Sequence, residues 1–318
     1  MTDEINSTAL VLHFFVRLRL VIGPKGLRGG KGDSMGYRKL LQPVTTNAYG
    51  PAALDLAFML ARDFEAQLNA VVVRMDSRDI APLAGEGLSA AMIEDMIAVT
   101  EREAVERSRA AQGLFERLLA GYGLPLAPND GACATLQIVS GQEELLIPGM
   151  ARLSDLTILP HPCAEEEAGA SECLHAVLFE SGRPVLIAPK TAPAAIGERC
   201  CVAWNGTVEA SSALAAMLPW LKRAKAVRIL HAGDYQRNGP GAEEVLPYLR
   251  LHGVDADLAG FTPINRDVGA GMLLAAQEFG ADLLGMGAYS HSRLRQLILG
   301  GVTRHVLGHA KITVLMAR

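Results

Sequence analysis

Aromatic residues are scarce, at 5% of the 318-residue chain. Single-stranded nucleic acids are usually held by stacking bases on aromatic side chains, so this scarcity argues against such a platform. A basic surface is lacking as well. Lys and Arg number 30 against 34 Asp and Glu, for a net charge of −4, whereas a nucleic-acid footprint needs the opposite balance. Long apolar runs are missing too. The stretch from Ala9 to Ile22 carries His13, Arg17 and Arg19 and falls short of the roughly 20 apolar residues that a spanning helix needs. As a secretory signal it has Asp3 and Glu4 where basic residues belong, and no clear small-residue cleavage site. Neither nucleic acid nor membrane is therefore an expected partner. Cysteine is sparse and odd in number, at five, which reads as reduced thiols in a cytoplasmic protein. Cys200 and Cys201 are adjacent and on a strand would face opposite sides, as core residues.

What is present is apolar material. Hydrophobic residues make up 50% of the chain and charged residues 20%, with a mean hydropathy of +0.20. A buried parallel sheet, apolar on both faces, accounts for that value. The length suggests two domains, and the sequence repeats itself. Leu56-Ala57-Phe58-Met59-Leu60 aligns with Leu214-Ala215-Ala216-Met217-Leu218, and Ser154-Asp155-Leu156-Thr157-Ile158-Leu159 aligns with Ala281-Asp282-Leu283-Leu284-Gly285-Met286. Strand patterns near 38–44, 69–74, 133–138, 155–159 and 184–188 recur near 199–204, 226–231, 255–260, 282–286 and 312–316. Alternation of strands with helical patterns implies βαβ units. The expected fold class is α/β, with two tandem doubly wound domains, each an open five-stranded mostly parallel sheet. The domains are placed at 36–190 and 198–318, joined by the small-residue linker Thr191–Gly197. The halves differ at 86–122, which reads as one long amphipathic helix against the short stretch 240–252. Residues 1–34 end in a Gly-rich basic stretch and read as disordered, or as a translation-start artefact with Met35 as the true start.

The strongest local signal runs from Ala281 to Arg318. A buried-type strand leads into Gly287-Ala288-Tyr289-Ser290-His291-Ser292-Arg293, and then into apolar Leu294, Leu297, Ile298, Val302 and Val306 at helical spacing. Gly300 and Gly301 sit inside that helical pattern, where each glycine costs about 1 kcal/mol against alanine. Either the helix starts only after them, or they let a ligand or a second backbone come close. A helix beginning at Gly301 or Val302 would present free N–H groups and a positive dipole end to a phosphate. Gly287 would lie at the crevice where open α/β sheets bind ligands. A strand–loop–helix unit with glycines for packing alone is the competing reading, and both stay open on this pattern.

These residues resemble the universal stress protein family. Its nucleotide-binding members carry Gly-x-x-Gly, nine residues, then Gly-Ser or Gly-Thr between the fourth strand and the next helix. Here Gly287, Ser290, Gly300 and Gly301 keep that spacing, with Ser290 for the second glycine and Gly301 for the hydroxyl residue; Val302-Thr303 continues as the family does. The family's first strand ends in an Asp that holds the nucleoside end. The matching stretch is Val202-Ala203-Trp204-Asn205, where Asn205 can still accept and donate hydrogen bonds but carries no charge. Trp204 is expected to pack in or beside the sheet. The resemblance implies an adenine nucleotide alpha hydrolase-like fold. It implies ATP or a related adenine nucleotide bound through Ala203, Asn205, Gly287, Ser290, His291, Ser292, Arg293, Gly300, Gly301, Val302 and Thr303. It also implies slow hydrolysis at most, no assigned catalytic residue, and no metal beyond a nucleotide-associated Mg. The first half resembles the same fold with its site erased, since Pro160-His161-Pro162-Cys163 and the acidic run Glu165–Glu167 stand where glycines belong. The resemblance further implies an internal pseudo-dimer of the two halves, to which a homodimer could be added.

Rival chemistries have less support. His161, Cys163, Cys173 and His175 are zinc-ligand types, but residues two apart on a helix face different directions. Ser290, His291 and Ser292 offer a nucleophile and a base with no nearby Asp to orient the His. His305 and His309 lack the intervening Glu of a metalloprotease and read as helix surface. Arg295 reads as a solvated face and Arg293 as the more open candidate for phosphate. A nucleotide-free stress-linked scaffold is the alternative function, favoured by Ser290, Gly301 and Asn205; an electron-transfer-flavoprotein-like binder has less motif support. N-terminal sequencing of the native protein is expected to begin at Met35, and a mature chain beginning near residue 1 would sink the start-site reading.

Overall fold

The computed structural model describes residues 36–74, 90–126, 131–162, 167–289 and 301–318. The first half runs β1 (Lys39–Pro43), α1 (Gly50–Asp63), β2 (Gln67–Arg74), α2 (Ala90–Tyr122), β3 (Cys133–Ser140), α3 (Glu143–Ala151), β4 (Leu156–Leu159), α4 (Glu167–Glu180) and β5 (Val185–Ile187). The second runs β6 (Arg199–Ala203), α5 (Val208–Leu221), β7 (Ala226–His231), α6 (Ala242–Leu251), β8 (Asp257–Gly260), α7 (Val268–Phe279), β9 (Leu283–Gly287), α8 (Gly301–His309) and β10 (Thr313–Ala317). The strands form one sheet in the order β3-β2-β1-β4-β5-β10-β9-β6-β7-β8. Each half thus has the same internal order. All neighbours pair in parallel except β5 and β10, which pair antiparallel through Val185↔Met316, Leu186↔Leu315 and Ile187↔Val314.

The strands are apolar because both faces are covered. One layer packs α1, α2, α5 and α6 through Leu54, Phe58, Phe115, Met217 and Leu249 against Leu40 and Val202. The other packs α3, α4, α7 and α8 through Ile147, Val177, Met272 and Val306 against Leu41 and Leu284. Cys200 belongs to the first layer and Cys201 to the second, both fully buried, as adjacent strand residues must be.

The repeated sequence segments have matching structural jobs. Leu56–Leu60 and Leu214–Leu218 lie at the same offset from the starts of α1 and α5, which are both 14 residues long. Asp155 accepts the N–H groups of Arg38 and Lys39 at 2.7 and 2.9 Å. Asp282 accepts those of Gly197, Glu198 and Arg199 at 2.8, 2.9 and 3.2 Å. Each carboxylate ties the start of its half's fourth strand to the start of its first strand. The bonds are charge-assisted and serve N–H groups that the ladder leaves over.

Aromatic rings join the halves on the first layer. Tyr37 sits 5.1 Å from Phe64 and 4.9 Å from Trp220 between ring centroids, and Phe64 sits 5.4 Å from Trp220. The Tyr37 hydroxyl donates to the Ala216 carbonyl of α5. Trp220 lies over the linker at Gly197, where φ is +85° and a Cβ would come within 2.4 Å of Cδ1 of Trp220. Glycine is therefore required twice at this position, by backbone and by space. Among the described residues, no helix is long and apolar enough to cross a membrane. Trp220→Ala is expected to cost about 3–5 kcal/mol and Asp282→Ala about 2–3 kcal/mol, read from urea unfolding midpoints.

Candidate functional site

In the second half the chain winds outward from β6 to β7 and β8, then returns to place β9 on the other side of β6. The crevice at the carboxyl ends of β6 and β9 is therefore a topological switch point. The register pairs Val202 with Gly285, so Ala203 and Gly287 reach the same edge and Asn205 follows just beyond. These three expected site residues are brought together. Gly301, Val302 and Thr303 lie on α8. Ser290, His291, Ser292, Arg293 and Gly300 lie outside the described residues, as do Arg295 and the expected helical turn Leu294–Ile298.

Local hydrogen bonds determine what Asn205 offers. Its Oδ1 accepts from the Thr207 N–H at 3.2 Å and the Thr207 hydroxyl at 2.9 Å, an Asx turn. The Thr207 Oγ1 in turn accepts from the Ala210 N–H at 3.2 Å, capping α5. The Asn205 acceptor is thus engaged in this turn, and its amide nitrogen is a donor. The N-terminus of α5 is served by its own cap. Trp204 is buried and donates from its indole nitrogen to the Pro240 carbonyl at 3.0 Å, so it packs beside the sheet.

The glycines separate by role. A Cβ on Gly287 would fall 2.7 Å from the Ala210 nitrogen and 2.7 Å from the Glu209 carbonyl carbon. The first turn of α5 crosses the strand end so closely that only glycine fits, whether or not a ligand is present. Among the described residues, a Cβ on Gly301 would meet nothing within 4 Å, so they give no packing reason for glycine there. Thr303 is buried, and Val302 packs on the second core layer.

Three features had no clear sequence signal. The loop between β7 and α6 folds over the crevice rim: the Arg237 N–H donates to the Asn205 carbonyl at 2.8 Å, and a Cβ on Gly206 would lie 2.4 Å from the Gln236 amide. His305 is not a plain surface residue, since its Nδ1 pairs with Asp267 Oδ2 at 2.6 Å while Oδ1 of Asp267 caps α7 through Ala270; its ring stacks on His309 at 4.2 Å. Tyr289, just past β9, has φ of +63°, uncommon for a residue with a side chain. Its ring lies 5.0 Å from His175 and 5.1 Å from Phe179 of α4, in the other half. Burial raises the Tyr289 hydroxyl pKa.

At the equivalent strand ends of the first half, described side chains contact one another. Asn47 Oδ1 accepts from the N–H groups of Tyr49 and Gly50 at 3.2 and 2.8 Å, serving the start of α1. The Tyr49 ring meets the buried His161 edge-on at 5.8 Å, and the Lys190 ammonium lies 5.4 Å from the Tyr49 centroid. Burial lowers the His161 pKa. Burial raises the Cys173 thiol pKa, and Cys163 lies outside the described residues. No group of three or more potential metal ligands is found among the described residues.

Residues 261–318 match the model of the Universal stress protein family. Among solved structures, a universal stress protein from Archaeoglobus fulgidus DSM 4304 is 14% identical, with 88% of this chain and 98% of that chain covered and a TM-score of 0.63. A functionally unknown protein from Pseudomonas aeruginosa PAO1 is 16% identical, with 89% and 93% covered and a TM-score of 0.52. No curated protein matches. The chain thus has the fold of these proteins over most of its length and the family's sequence pattern in its last 58 residues, 261 to 318. Gly287→Ala is expected to destabilise the ligand-free protein by about 1–3 kcal/mol through the clash with α5, measured by urea unfolding; an unchanged midpoint would mean that α5 can withdraw.

Proposed function

We propose that this chain, with a universal stress protein fold and that family's pattern over residues 261–318, holds ATP or a related adenine nucleotide in its second half. The observation that carries the reading is Gly301: it lies on α8 with space beside it among the described residues, inside the stretch that matches the family and carries its glycine spacing. A helix start at Gly300 or Gly301 would present backbone N–H groups and a positive dipole end to a phosphate chain. At the other end of the crevice, Ala203 and the Asn205 amide nitrogen would face the nucleoside. Ser290, His291, Ser292, Arg293 and Gly300 complete the proposed cradle by sequence, and Val302 and Thr303 support it through the backbone. The protein is read as a cytoplasmic stress-response protein, with any Mg arriving with the nucleotide, hydrolysis slow at most and the internal pairing of halves open to further dimerisation.

A second reading, a nucleotide-free stress-linked scaffold, is favoured by one set of observations. The Asn205 acceptor is spent on Thr207, α5 is capped from within, and Thr303 is buried. The test is to denature freshly purified protein, identify any released nucleotide, and titrate ATP by calorimetry. Stoichiometric adenine nucleotide, lost in Gly300→Val, is the expected result. Absence of both nucleotide and binding at millimolar ATP would favour the scaffold.

A further inference from the structure

His305 and His309 stand at i and i+4 on α8, neighbours on one face. Each spends the same ring nitrogen on an acceptor. Nδ1 of His305 meets Asp267 Oδ2 at 2.6 Å, and Nδ1 of His309 meets the His305 carbonyl at 2.9 Å. A carboxylate and a carbonyl only accept, so both nitrogens carry the proton. In each neutral imidazole the lone pair then lies on Nε2. Neither Nε2 has a hydrogen-bond partner among the described residues. The rings lie side by side, with centroids 4.2 Å and planes 16° apart. The His305 side chain is 20% exposed, and His309 is exposed.

The fold builds this arrangement. Asp267 Oδ1 accepts from the Ala270 N–H at 3.1 Å and caps α7, which leaves Oδ2 for His305. A Cβ on Gly269 would lie 2.8 Å from Cβ of His305, so glycine in the first turn of α7 lets α8 come close. Asn265 and Arg266, with φ of +50° and +67°, form the turn between Ile264 and Asp267. The N–H groups and carbonyls of those two flanking residues bond to each other at 3.0 and 2.8 Å. Asp267 is thereby fixed where α8 passes.

Histidines that ligate metals donate their other ring N–H to a carboxylate or a backbone carbonyl. Here one does each. Arg266, Arg304 and Lys311 are near in sequence, so no excess of negative charge draws a cation to this face. The attraction comes from two nitrogen lone pairs, which suit zinc, copper or nickel. Magnesium and calcium take oxygen donors instead.

We propose that His305 and His309 form a two-imidazole site for a divalent transition-metal ion of the Zn²⁺ or Cu²⁺ type, with Asp267 as its positioning residue. Zinc lies about 2.0–2.1 Å from each ligating nitrogen, a geometry reached by turning the exposed His309 ring. Two protein ligands leave the other positions of a tetrahedral ion to water or to a donor on a small molecule. The site does not rest on the nucleotide reading, which uses the start of α8 rather than these side chains.

The test uses the untagged full chain, stripped of metal and titrated with Zn²⁺ against a chromophoric chelator, with Mg²⁺ in parallel. His309→Gln removes an exposed ligand. Asp267→Asn keeps an oxygen to cap α7 but turns an amide donor toward Nδ1 of His305, which moves the imidazole proton onto Nε2. Circular dichroism checks that both variants fold. The expected result is saturable binding of Zn²⁺ and not of Mg²⁺, weakened tenfold or more by each variant. No saturable Zn²⁺ binding, or equal competition by Mg²⁺, would overturn the proposal. So would an affinity unchanged in His309→Gln, which would put the ion on other residues. Affinity unchanged in Asp267→Asn would make the Asp267–His305 pair purely structural and remove its positioning role.

Discussion

Three residue pairs between β5 and β10 run antiparallel in a sheet whose other pairings are parallel. Two equivalent strands can pair that way only if the halves face each other about an approximate two-fold axis. The rest of the architecture follows. The helices that follow the fourth strands, α4 and α8, flank the seam on one face. On the other face, α1 and α5 meet through Tyr37, Phe64 and Trp220. The halves share cores across the seam: both buried layers contain residues of each half. Separating them would expose Trp220 and leave the edges of β5 and β10 without partners, a costly state for a strand.

The same frame carries two differently treated crevices. Both switch points place a side-chain oxygen near the start of the helix after the first strand, Asn47 for α1 and Thr207 for α5. Beyond that they part. In the first half Tyr49, His161 and Lys190 close on one another, and burial favours neutral His161. In the second half small residues stand at the strand ends, and Gly301 on α8 meets no described atom at its side. Tyr289 links the second half's strand end to α4 of the first half. Its positive φ lies just past the end of β9, at the carboxyl edge of the sheet.

Glycine illustrates how one residue type serves unrelated constraints. Gly197 is required by a left-handed backbone beneath Trp220, and Gly287 by the backbone of α5 crossing above it. Gly301 is required by neither. The sequence spacing treats Gly287 and Gly301 as members of one series, while the described packing gives a reason for glycine at Gly287 alone of the two.

Strand positions, the repeat and the α/β class were legible because buried parallel strands are continuously apolar and the two halves share a periodicity. Each expected strand lies within about two residues of its observed bounds. The opposite burial of Cys200 and Cys201 followed from strand geometry alone, and the duplicated Asp155 and Asp282 marked a real structural duty before that duty was visible. Side-chain commitments were not legible. That Asn205 spends its acceptor on Thr207, that Thr303 turns inward, and that Asp267 meets His305 across a 38-residue separation (305 minus 267) depend on which backbones approach each other. Local pattern determined the elements and their order, because it records burial one residue at a time. Tertiary structure alone decided which polar groups are spent and which remain, because hydrogen bonds and close approaches join residues that the sequence keeps apart.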